Sequence, residues 1–163
     1  MRRVIMSKWF YFNIILLILS VWQVVNHFSF PALSTPILFG LIGFLLFLFN
    51  WTRNAVFSTI RNTPDRKMKI KFVNISKRVM PFHRWTGTLA LVFIVLHAIS
   101  ILHLYGYSFH NSKMVAGLLA LLNLILMVIT GWWRLIKPTG KLRRTHLRLG
   151  IALFFLIAIH LLL

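Results

Sequence analysis

Cysteine is absent from the 163 residues, and the acidic side chains are reduced to one, Asp65. The first absence excludes disulfides, thiolate chemistry, iron–sulfur clusters and cysteine-ligated zinc. The second removes the material for paired-carboxylate catalysis, calcium sites and carboxylate proton relays. No G-x-G-x-x-G loop and no P-loop occurs, so neither dinucleotide-binding nor phosphate-cradling motifs are available. Charge of both signs is scarce, since only 12% of residues are charged, whereas 59% are hydrophobic. A mean hydropathy of +0.82 is more than a soluble domain of this size can hide, and long uncharged runs point to membrane spans.

Five such runs are long enough to cross about 30 Å of hydrocarbon at about 1.5 Å per residue. They cover approximately 9–27, 33–51, 82–104, 114–133 and 145–163, and together they predict an all-α integral membrane bundle in a single domain. Trp9, Trp51, Trp85, Tyr105, Tyr107, Trp132 and Trp133 lie near span ends, where aromatic belts are expected. Arg2, Arg3 and Lys8 precede the first run as in a signal peptide. No small-x-small cleavage site follows it, however, so it is read as a retained helix.

The net charge of +18 would suit a nucleic-acid partner, but the basic residues flank the spans instead of forming a soluble face. Lys and Arg crowd the N-terminus, the basic loop 52–81 and the turn between the fourth and fifth spans, while the turn after span one has none and that after span three only Lys113. The positive-inside rule then predicts an N-terminus inside and a C-terminus outside, with spans three and five running in the same direction. Within the loop, Arg66 to Phe72 alternates basic and apolar residues, which suits a segment lying on anionic membrane lipids.

Four of the seven histidines fall on those two parallel spans. His83 and His97 are 14 positions apart (97 − 83), as are His146 and His160 (160 − 146). That interval is about 3.9 turns and about 21 Å of rise, so each pair shares one helix face at two depths. Parallel running sets His83 level with His146 and His97 level with His160. Two cross-helix imidazole pairs result, which is what two b-type haems need as axial iron ligands. Two histidines alone, without Asp, Glu or Cys, make a poor zinc site. Gly87 and Gly150 each follow the first histidine of a span by four residues, either to admit a flat ring or to let helices pack closely. Arg84 and Arg148 stand beside the inner pair, as partners for haem propionates or as interfacial anchors. His27, His103 and His110, with Lys113, lie toward the outer side, and Asn123 is expected to hydrogen-bond a neighbouring helix.

Two His-x13-His helices, third and fifth in order, the first opening on His83-Arg84-Trp85-Thr86-Gly87, resemble the ferric reductase-like transmembrane domain. That superfamily includes NADPH oxidases, ferric reductases and the haem subunit of periplasmic methionine sulfoxide reductase. The likeness covers roughly Pro81 to Leu163, and the first two spans only in topology. It implies two haem b groups, the inner on His83 and His146 and the outer on His97 and His160. It also implies transmembrane electron transfer from a cytoplasmic flavoprotein or membrane quinol to an external acceptor. The family usually has a sixth helix, and its oxidases append a flavin and nicotinamide domain. The expectation here is thus an oxidoreductase subunit in a bacterial cytoplasmic membrane that works as a conduit. A haem-free membrane anchor and a small histidine-dependent transporter are the competing readings.

Overall fold

The structure is a computed structural model that describes residues 6–26 and 34–163. The described residues form six α-helices and no strand: α1 Lys8–Asn26, α2 Thr35–Asn62, α3 Arg66–Val79, α4 Phe82–Tyr105, α5 Ser112–Ile136 and α6 Gly140–Leu162. All but α3 are long and apolar enough to cross a membrane. Large apolar side chains such as Ile18, Trp22, Leu122 and Phe155 stand exposed on them, as a lipid-facing surface requires.

The helix ends are written locally. Asn111 accepts a hydrogen bond from the Met114 amide (3.1 Å) to start α5, and Thr139 accepts one from Leu142 (3.2 Å) to start α6. Gly106 ends α4 with φ of 68°, a left-handed conformation that suits glycine.

Two boundaries differ from the sequence expectation: α6 begins at Gly140, five residues before the expected start, and α2 runs well past its expected end. The stretch 52–81 is largely helical, because α2 continues past Trp51 through the first charged residue to Asn62, and α3 follows after three residues. Charge begins at Arg53, but nothing between Trp51 and Asn62 breaks a helix; the break comes at Pro64. Thr59 and Thr63 also tie their hydroxyls back to the Ala55 and Thr59 carbonyls (3.0 and 2.8 Å). At 28 residues α2 is about 42 Å long, more than the hydrocarbon layer, so one end projects beyond it.

In the packing, α2 lies along α4 and α5 along α6, while α1 closes the bundle against α2 and α6. The core holds Leu16, Phe44, Phe47, Leu48, Trp51, Leu124, Leu153 and Phe154. Trp51 is its hub, edge-on to Trp9 at 5.3 Å and stacked on Phe47 at 6.3 Å.

Candidate functional site

The four histidines of α4 and α6 form two pairs. The rings of His83 and His146 have centroids 6.3 Å apart and planes at 82°, and those of His97 and His160 are 6.4 Å apart at 83°. The helices that carry them are not a closely packed pair; the rings meet across the space between them. Both members of each helix's set ride on one unbroken helix, so the two levels stand about 21 Å apart at 1.5 Å per residue.

Each Nδ1 has an oxygen partner. His97 reaches the Pro36 carbonyl (2.7 Å), His146 the Met127 carbonyl (3.0 Å) and His160 the Lys113 carbonyl (2.9 Å). His83 reaches the Asn50 amide oxygen (3.1 Å), which also accepts the Thr86 hydroxyl (2.7 Å). A carbonyl oxygen can only accept, so each Nδ1 donates. A neutral imidazole that donates from Nδ1 keeps its lone pair on Nε2, the arrangement of a histidine prepared to bind a metal.

Small residues make room for these rings. A Cβ on Gly40 would stand 2.9 Å from His97, one on Gly117 2.9 Å from His160, and one on Gly131 3.3 Å from His146. Sequence reasoning passes over these three glycines and Asn50, although one signal is present. Gly117 and Gly131 are 14 apart (131 − 117), the interval of the histidines they face on the antiparallel α6.

The glycines singled out from sequence have separate surroundings. Gly87 lines a cleft beside His83 and His146 with Asn50, Gly131 and Trp132, and its missing Cβ would lie 3.3 Å from Asn50. Gly150 is covered by Trp51, whose Cζ3 would stand 2.8 Å from a Cβ there, so it serves close helix packing.

Of the two expected arginines, Arg84 lines the cleft and Arg148 is exposed and does not. Arg53 of α2 and Arg134 of α5 instead join Arg84 within electrostatic reach of His83. Arg53 packs its guanidinium over the Phe57 ring at 5.2 Å. With no carboxylate near, this trio is an uncompensated positive field on one side of the pair. At the other level, His103 and His110 are exposed, Lys113 contributes its carbonyl, and His27 lies outside the described residues. Asn123 is buried and donates to the Leu149 carbonyl of α6 (3.0 Å), as expected.

Among the described residues no group of three or more His, Asp or Glu side chains could hold a metal ion. Two imidazoles per level do not complete the coordination of a bare cation. Each pair would fit a group that carries the remaining metal donors itself. Ring centroids 6.3 and 6.4 Å apart leave space between the members of each pair where such a group would sit. In comparisons with family models, curated proteins and solved structures, the chain matches none.

Proposed function

We propose that this chain is a di-haem b-type cytochrome that transfers electrons across the cell membrane. The observation that carries the reading is the shared placement of the four histidine Nδ1 atoms against oxygens. Every Nδ1 is committed to an oxygen on α2 or α5, which leaves four Nε2 lone pairs on α4 and α6 in two pairs.

His83 and His146 would hold one haem and His97 and His160 the other. When bound, each haem supplies an iron that takes up and releases single electrons. The chain's own work is orientation and electrostatics. The carbonyls of Pro36, Met127 and Lys113 and the amide of Asn50 fix ring rotation, and hydrogen bonding at Nδ1 makes each imidazole a stronger donor. Gly40, Gly117 and Gly131 let the rings recede toward α2 and α5. Arg53, Arg84 and Arg134 would meet acidic substituents of the group at the His83 level.

The distribution of basic residues supports an N-terminus inside, because 18 of the 19 Lys and Arg lie at or near that side and only Lys113 at the other. On that orientation the His83 level receives electrons from a cytoplasmic flavoprotein or a membrane quinol, and the His97 level serves an external acceptor.

A visible spectrum of the purified protein, followed by a pyridine haemochrome assay, tests the reading. The expected result is two b-type haems per chain. A colourless protein that still folds would favour the haem-free anchor or the transporter and overturn the proposal.

A further inference from the structure

Helix α3 leaves the projecting end of α2 and returns to the membrane at the start of α4. Three residues join it to α2 and two join it to α4, both of them spans. Asp65, the sole acidic residue of the chain, is used at its start, where Oδ1 accepts from the Lys67 and Met68 amides (2.7 and 3.1 Å). The cations of α3 therefore have no carboxylate within the chain to neutralise them beyond that one, which is held at the helix end.

The helix turns Met68, Phe72, Val73 and Ser76 toward the protein. The opposite side is an open, shallow groove along α3 itself, lined by Lys67, Ile70, Lys71, Asn74, Ile75 and Arg78. Lys67, Lys71, Asn74 and Arg78 follow at intervals of four, three and four, so they form one stripe along the axis. Ile70 and Ile75 flank it, 51% and 50% exposed. The groove thus offers positive charge and bare aliphatic surface side by side.

We propose that this groove is a binding site for an anionic phospholipid, with Lys67, Lys71 and Arg78 on the phosphate and Ile70 and Ile75 against the adjoining acyl region. Inorganic phosphate would satisfy the cations but leave both isoleucines in water. An acidic protein would have to seat itself beside a helix whose end two residues join to the span α4. A phospholipid supplies both chemistries in one molecule, beside the point where α3 meets the span α4.

The test uses the full chain, purified in mild detergent and equilibrated with equimolar phosphatidylglycerol and phosphatidylcholine. Native mass spectrometry then counts the lipids retained. The wild type is expected to retain phosphatidylglycerol preferentially, and removal of each cation should lower that preference about fivefold, near 1 kcal/mol apiece. The variant Lys67→Gln/Lys71→Gln/Arg78→Gln should lose the preference, while Lys137→Gln/Lys141→Gln/Arg144→Gln, on another segment, should keep it. Ile70→Ser/Ile75→Ser should reduce retention with every cation in place. Equal preference in the wild type and the α3 triple variant would overturn the proposal. So would displacement of the lipid by millimolar inorganic phosphate with no effect of the isoleucine changes, which would make the groove a simple phosphate site. Capture of a polyglutamate peptide in place of lipid, abolished by the same triple variant, would assign the stripe to an acidic protein and overturn it as well.

Discussion

The side-chain oxygen of Asn50, on α2, lies 3.1 Å from Nδ1 of His83, on α4. The other three Nδ1 atoms each face a backbone carbonyl, His146 sharing its with the Thr130 hydroxyl (3.1 Å), so only at His83 can substitution of a side chain remove the described oxygen partner.

Asn50→Leu should therefore act on one site alone. It orphans the His83 Nδ1–H, at a cost of about 1–3 kcal/mol, and loss of such a partner typically weakens metal binding about 10–100-fold. Haem content should fall toward one per chain, with the surviving haem unchanged in a redox titration. Asn50→Asp should retain both haems and lower the potential of one, since a carboxylate acceptor makes the imidazole a stronger donor to the oxidised iron.

The pairing itself is tested by four alanine variants. His83→Ala and His146→Ala should share one spectral and potentiometric phenotype, and His97→Ala and His160→Ala another. If His83→Ala behaved like His97→Ala, the cross-helix arrangement would be wrong.

Added volume should be felt at the glycines in proportion to the space each has. Gly40→Ala and Gly117→Ala place a Cβ 2.9 Å from a histidine ring, Gly131→Ala places one at 3.3 Å, and Gly140→Ala meets nothing within 4 Å. The first two should cost about 1–3 kcal/mol and disturb the His97–His160 level; Gly131→Ala should be milder and act at the other level. Gly140→Ala serves as the control. Thermal unfolding with haem absorbance as the signal ranks them.

Orientation is open to chemical labelling. A cysteine in place of Lys69, which is exposed on α3, should stay unlabelled by an impermeant thiol reagent in intact cells, while one added after Leu163 should react. The native chain has no cysteine to confuse the readout. The reverse pattern would invert the membrane topology and the direction of electron flow proposed for it.

The five long helices are legible because hydropathy and length decide spans almost alone, and the histidine intervals are legible because helical rise converts them to depth. Three features are less so. The end of α2 escapes a hydropathy reading because charge marks where the hydrocarbon stops, whereas Pro64 marks where the helix stops. Arg53 and Arg134, distant in sequence, join Arg84 near His83 while Arg148 is exposed, since a residue near a histidine in sequence need not share its helix face. The roles of Gly40, Gly117 and Gly131 depend on which helices pack together, and a glycine facing a histidine across an interface carries no local mark. Only the shared interval of 14 on α5 and α6 hints at it.

The core also has a consequence for what else can cross. Most of its residues fall between the two histidine levels on three of the helices: Phe44, Phe47 and Leu48 between Gly40 and Asn50 on α2, Leu124 between Gly117 and Gly131 on α5, Leu153 and Phe154 between His146 and His160 on α6, with Leu91 and Ile94 of α4 packed against them. Packed apolar interiors stay dry, and dry constrictions stop water wires. An electron can tunnel through such a plug, but a hydrated proton cannot follow it. A bundle built this way would pass negative charge without short-circuiting the proton gradient of the membrane in which it sits.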